Sequence, residues 1–464
     1  CKNSRSNHIR YNHINSNRSC IFLFHLKQLE NPKVIIPFKV PNDKNYQEYQ
    51  NNDTFVEQKH RTMLRISIFA LTFIFITSCS NNETNNTSAE KPNETEIDSV
   101  ENTAIEKHPE DPKFGQAAKF LAGIEGESNS FLKEIEKTDA WKSYQVSLND
   151  IWQRTEKKLP VMRDWSSTEM KDVNQNGGTL FYPFSGPDFL HADIFFPEHE
   201  NVVMIGLEPI GTYPDLIQKD KNGKTELYLN GVRKSLHAIL GMSFFRTIAM
   251  ADDFKGEVDG TLPVLMQFLV RTGNEVLFQE RVAIQQNGEL TTDMSKAVDS
   301  TYIGNKFYFR KEGQDKVKTL TYFAVNLQNS PYVSRGGLIA KGLETRTDLV
   351  AYIKQIGITS TYLKSASYLM HRPTFSIIRN LILSESENVL QDDSGIPVQY
   401  FDQAKWDLTF YGTFSAPISL FSERGQPDLK EIYSKKELPV KPLPFDIGYQ
   451  YHPGTSNLMK ARKK

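Results

Sequence analysis

The sequence predicts an α/β body: a mostly parallel, doubly wound sheet with an N-terminal helical layer. Three observations predict it. Apolar runs such as "NVVMIGLEPIG" (201–211) are too continuous for one-sided strands and read as strands covered on both faces. Stretches of helical period separate such runs, as at 348–357 and 374–386, and strands alternating with helices build parallel sheets. Ahead of them, residues 111–165 carry apolar side chains at helical spacing with no strand among them.

Taken in order, Phe131, Leu132 and Ile135 share one helical face, and Trp141, Leu148, Ile151 and Trp152 share another. Pro160 should end that second helix, because proline removes an amide donor and clashes with the preceding turn. "TLFYPFSG" (179–186) reads as a strand running into a turn, and "PDFLHADIFFPE" (187–198) as a helix opening on Pro-Asp. Helices are expected near Ser235–Ala251 and Leu262–Arg281, then a hairpin of "TYIGNKFYFR" (301–310) and "VKTLTYFAVNL" (317–327). The alternation resumes with helix 348–357, strand 358–364, helix 374–386, strand 388–393 and a last strand, 405–414. These elements divide the body into a helical layer, 111–170, and an α/β domain, 171–436; proline-spaced residues 437–464, basic at their end, read as an extended tail.

The N-terminal part has a different character. In "LRISIFALTFIFITSCSNNETNN" (64–86), the apolar run from Ile66 to Ile76 is too short for a spanning helix, which needs roughly 20 residues. It fits the apolar core of a secretory signal, with Arg65 before it and small residues after. Ile76-Thr77-Ser78-Cys79 resembles the lipobox of bacterial lipoproteins. That resemblance implies a signal peptide over 63–78, lipidation of Cys79 and a membrane partner reached through the lipid. Ser80 in place of Asp, by similarity to enteric sorting, points to the outer membrane. From Cys79 to Lys107, 20 of 29 residues are Asn, Thr, Ser, Asp or Glu, too polar to offset the entropy of ordering, so 79–110 reads as a disordered tether. Residues 1–62 show no periodic pattern and are expected to be upstream sequence absent from the mature protein.

Two further resemblances concern the body. The turn Ser185-Gly186-Pro187-Asp188 after a first strand, and Glu208 ending a second, resemble the Rossmann-like sheet of methyltransferases. This implies Gly186 and Glu208 as cofactor-binding residues, with Glu208 on a ribose. Gly186 stands alone where that family carries several glycines, so no bound cofactor is expected. "FYPFSGPDFLHADIFFP", "GLEPIG", "YLMHRPTFS", "LQDDSGIP" and "LPFDIGYQYHPGTSNL" resemble a Bacteroidota-like group of envelope lipoproteins. That likeness implies a location and no activity.

Composition excludes several functions. With 55 basic against 56 acidic residues the chain is nearly neutral, and nothing points to nucleic acid. The three cysteines are Cys1, Cys20 and Cys79, so the body has no thiol nucleophile, disulfide or cysteine-based metal site. No metal is expected at Asp188, His191, Asp193, Glu198 and His199 either, since His191 and Asp193 would diverge on a helix. The catalytic candidates are Asp188, Glu208 and Asp393, the last paired with Asp392 in a way that can separate two carboxyl pKa values. No serine elbow is present, and spacing assigns no base to Ser365. Three readings follow: a lipid-tethered body that binds a ligand or partner, an envelope hydrolase using those carboxylates across one cleft, and a methyltransferase-like domain. The third conflicts with export away from a cytoplasmic cofactor.

Overall fold

In the computed structural model, which describes residues 108–242, 258–297, 302–333, 339–435, 439–450 and 454–464, the main sheet is mixed. Its ten strands lie in the order β11-β12-β10-β9-β1-β2-β6-β5-β3-β4. The central strands are β1 (Thr179–Pro183), β2 (Asn201–Gly206), β6 (Val317–Ala324), β9 (Ile358–Leu363) and β10 (Asn388–Gln391). They are joined by four parallel pairings. Outside them lie β3 (Asn274–Ile284), β4 (Leu290–Thr291) and β5 (Ile303–Lys311) on one side, and β11 (Trp406–Gly412) and β12 (Asn457–Lys463) on the other. These add five antiparallel pairings. The mostly parallel, doubly wound, Rossmann-like sheet is therefore overturned. A separate antiparallel pair joins β7 (Tyr332–Val333) to β8 (Ile339–Ala340).

Two strands hidden in the sequence account for the difference. Residues 262–281, expected as one helix, form a helix only to Arg271. Gly273 then takes φ +79°, which glycine adopts without penalty, and the chain continues as β3. Residues 457–463, expected in the extended tail, form β12, inserted between β10 and β11. The basic end is held there: Lys460 and Arg462 reach Asp172 at 3.0 and 3.2 Å. The hairpin of β5 and β6 is present and antiparallel.

The helices cover both faces. Alternation along β1 and β2 divides their side chains: Leu180, Tyr182, Val202 and Met204 enter one core, and Phe181, Val203 and Ile205 the other. The first core is closed by α1 (Pro112–Leu121), α2 (Lys133–Glu136), α3 (Asp139–Glu156), α4 (Leu159–Glu169), α5 (Lys171–Asn174), α6 (Phe189–Phe195), α7 (Leu216–Lys221), α8 (Thr225–Met242) and α9 (Leu262–Arg271). The second is closed by α10 (Thr347–Gln355), α11 (Ser376–Glu385) and α12 (Pro427–Ser434). Asp111 caps α1 ahead of Pro112, and Thr138 caps α3. Helix α3 stops at Glu156, and Pro160 serves instead in the first turn of α4, where its missing N–H has no partner to lose. No helix among the described residues is long and apolar enough to cross a membrane. Cys79, the signal over 63–78, residues 1–62, the tether up to Lys107 and the expected helix beyond Met242 lie outside the described residues.

Candidate functional site

Strand order reverses at β1: the chain passes from β1 to β2 on one side and later enters β9 on the other. Where parallel strands diverge in this way, their outgoing loops part and leave a crevice beyond the carboxyl ends. A cavity of about 60 Å³ lies there, lined by residues 184–186 after β1, 206–208 at the end of β2, and Lys364, Ser365, Ser367 and Leu369 after β9. The backbone around it is strained. Among the described residues, the non-glycine residues with left-handed backbone are Phe184, Ser365, Ser367 and Tyr368, with φ between 52 and 60°. Each such residue costs roughly 1–2 kcal/mol, and strain of this kind gathers where function over-determines the backbone.

Glu208 is the most exceptional lining group. It is 1% exposed, and its Oε2 accepts from the Leu207 amide at 3.1 Å and the Tyr322 hydroxyl at 3.3 Å. Its Oε1 finds no hydrogen-bond partner among the described residues. Gly206 makes the approach of Tyr322 possible: a Cβ there would collide with the Tyr322 hydroxyl and lie 2.7 Å from Glu208 Oε2.

Behind the cavity sits a closed polar network. Asp188 caps α6, and its carboxylate accepts from Tyr182 at 2.8 Å, lies 2.7 Å from His191 Nδ1 and pairs with Lys364 Nζ at 2.5 Å. Lys364 also approaches His191 Nδ1 at 3.1 Å. Burial pushes the Asp188 carboxyl up, but His191 and Lys364 outweigh it and hold it well below the usual carboxylate range. Burial, aided by the Lys364 charge, lowers the His191 pKa, so the imidazole is neutral at pH 7.

On the far side of β9, Asp392 and Asp393 follow β10. Asp392 accepts from the Ser365 amide at 2.8 Å and from the amide and hydroxyl of Ser394 at 3.0 and 2.5 Å. Burial, then the neighbouring Asp393 charge, pushes its carboxyl up to about 7. Asp393, also raised by burial, accepts from the Tyr368 hydroxyl and from Asn457 Nδ2 at 2.9 Å.

Of the three carboxylates read from the sequence as catalytic, only Glu208 lines the cavity. Asp188 stands one side chain behind it, through Lys364, and Asp393 faces Tyr368 and Asn457. They do not converge on one cleft. Gly186 does line the cavity, at φ +54°. The His/Asp/Glu cluster is dispersed: Asp193 pairs with Lys311 at 3.2 Å, Glu198 is exposed, and His199 is buried against Ser360 at 2.9 Å. Among the described residues no group of three or more such side chains could hold a metal ion.

Ser365 has the placement of a strand-end nucleophile, but its surroundings differ from an acyl-transfer site. The following amide, of Ala366, donates to Ser394 Oγ at 2.7 Å and so is spent before any oxyanion could use it. Lys364, Tyr182 and Tyr322 are the site residues that sequence reasoning missed. A lysine ending the otherwise uncharged strand "ITSTYLK" is the signal for the first. Tyr322 lies 114 positions from Glu208, and nothing local announces it. Comparison with protein families, curated proteins and solved structures finds no match for this chain.

Proposed function

We propose that this chain is a lipid-anchored protein of the cell envelope, held by Cys79, whose body binds a small polar ligand in the crevice beyond β1, β2 and β9. The anchor rests on the sequence Ile76-Thr77-Ser78-Cys79 after a short apolar run. The binding reading rests on one observation: Glu208, a residue of the cavity lining, is almost wholly buried and keeps one carboxylate oxygen without a hydrogen-bond partner among the described residues. A buried polar group left unsatisfied is costly, and a ligand that donates to it removes that cost. The cavity is well below the usual 300–1,000 Å³ of cofactor and drug-sized pockets, so the ligand, or the part of it that enters, is small.

The test is a thermal-shift screen of the full chain against metal ions, glycans, nucleotides, amines and polyols. A ligand at 100 times its dissociation constant stabilises by about 2.7 kcal/mol, which such a screen detects. The expected result is a hit that disappears in Glu208→Gln. Hits that persist undiminished in that variant would place the ligand elsewhere and remove the basis of the reading.

A further inference from the structure

Two adjacent acids hold the loop after β9 in an unfavourable shape. Ser365, Ser367 and Tyr368 all take left-handed backbone although each carries a Cβ, so the loop needs outside bonds to keep its path. Those bonds converge on one turn. The Ser365 amide donates to Asp392 at 2.8 Å, the Ala366 amide to Ser394 Oγ at 2.7 Å, and the Tyr368 hydroxyl to Asp393. Ser394 in turn donates to Asp392 through its amide and its hydroxyl. From the other side the C-terminal segment closes on the same pair: Asn457 donates to Asp393 at 2.9 Å, Gln450 also reaches it, and Gly448 packs so near that a Cβ there would lie 2.4 Å from Asp392 Oδ2.

Asp392 and Asp393 are each 4% exposed, and the groups that donate to them are amides, hydroxyls and carboxamides, none of them a cation. The titratable side chains around the pair are Tyr182 from β1, Tyr362 from β9, Tyr368 and His371 from the loop, Tyr433 from α12 and Tyr449 from the C-terminal segment. Burial raises every one of these phenols, and burial, then the Arg424 charge, lowers His371, so all six are neutral at pH 7. The nearby cations are already matched, Lys364 to Asp188 at 2.5 Å and Arg424 to Glu423 at 3.2 Å. Two carboxyls enclosed in this way resist ionising together. Burial, then the Asp393 charge, pushes the Asp392 carboxyl up to about 7.

We propose that the Asp392–Asp393 pair is a proton-operated catch on loop 364–369: while the pair keeps one proton the strained loop stays pinned, and loss of that proton frees the loop and widens the crevice that Ser365, Ser367 and Leu369 line. With both acids ionised, like charges share a dry site; an outward swing of the loop admits water to both and relaxes the three left-handed residues in the same movement. The sign follows from linkage. The closed form keeps its proton up to about pH 7, whereas the hydrated open form keeps it only up to about 4, so opening rises by up to tenfold per pH unit between those limits and levels off above them. The crevice is therefore tight in acid and loose at neutral pH. This device concerns the loop itself and stands apart from what the crevice binds.

Hydrogen–deuterium exchange of the full chain between pH 5 and 8, read by mass spectrometry and corrected for the intrinsic pH dependence of exchange, measures the opening. Peptides covering 364–371 should open at least tenfold more at pH 7.5 than at pH 5.5. Their exchange at pH 7.5 should also be faster than that of the β5–β6 hairpin and unmoved by dilute urea, because a local swing exposes little surface. Asp392→Asn, which cannot ionise, should hold loop opening constant within twofold over the same range. If that variant does not fold, the wild-type pH profile and its urea response carry the test. Loop opening in wild type that does not change with pH, a pH dependence that survives in Asp392→Asn, or a loop that exchanges only at the rate of the hairpin would each overturn the proposal.

Discussion

Replacing Lys364 with methionine tests the polar network behind the crevice. Lys364 and Asp188 are 2.5 Å apart, each side chain 2% exposed, and methionine keeps the length of the stem while removing the charge. Breaking a buried pair on one side strands the other charge, at up to about 3–5 kcal/mol; His191, freed of the Lys364 charge that lowers its pKa and still beside Asp188, becomes easier to protonate and offsets part of that loss. The double variant Asp188→Asn/Lys364→Met should recover most of that loss, since asparagine still caps α6 and no unpaired charge remains. The pH dependence carries a sign. Asp188 has a depressed pKa, so its contribution is present above the ordinary carboxylate range and is lost as pH falls through the depressed value. Without Lys364 the depression relaxes, so the deficit of the single variant should be full at pH 7 and shrink as pH falls toward 4. Urea unfolding followed by tryptophan fluorescence measures each quantity. A deficit under about 1 kcal/mol, or a double variant as unstable as the single one, would show that the pair does not hold together the loops beyond β1 and β9.

Asp392→Asn should flatten the pH dependence of the melting temperature. The raised carboxyl contributes stability that is full below the ordinary aspartate range and lost as pH rises through about 7, so wild type should lose ground to the variant between pH 5 and 8; parallel curves would contradict the shift. Gly206→Ala forces a methyl against Tyr322 and Glu208 and should destabilise by about 1–3 kcal/mol, measured by denaturant unfolding. Cys79→Ser should abolish labelling by palmitate and release the protein from the membrane fraction; retained label or unchanged partition would refute the anchor.

What the sequence disclosed depended on whether the signal was local. A continuous apolar run marked β2, because a strand covered on both faces needs no partner to be recognised, and strand-length segments set between helical patterns marked β9 and β10. The edges were illegible for opposite reasons. The break between helix and strand in 262–281 was a short polar one, Arg271-Thr272-Gly273-Asn274-Glu275, which a helix can carry on its surface; the left-handed backbone of Gly273 is what ends the helix and starts β3. In β12, Lys460 and Arg462 looked like a solvated tail because their partner, Asp172, is 288 and 290 positions away. The site divided in the same way. Glu208 and Gly186 were visible as strand-end residues, but the orphaned oxygen of Glu208 depends on where Tyr322 points, and the commitment of Asp188 depends on Lys364.

The position of β12 sets an order on assembly. It follows β11 in the chain yet lies between β11 and β10, so β11 has no ladder to join until residues 457–463 have entered the sheet. The outer edge must therefore form late, after a long loop has closed, and long-range pairing of this kind slows folding. Its first residue, Asn457, is also the one that donates to Asp393 beside the crevice. The same event that seals the edge thus completes the hydrogen bonding of Asp393, so a nascent chain leaves that buried carboxyl without one of its donors until the rest of the body is already in place.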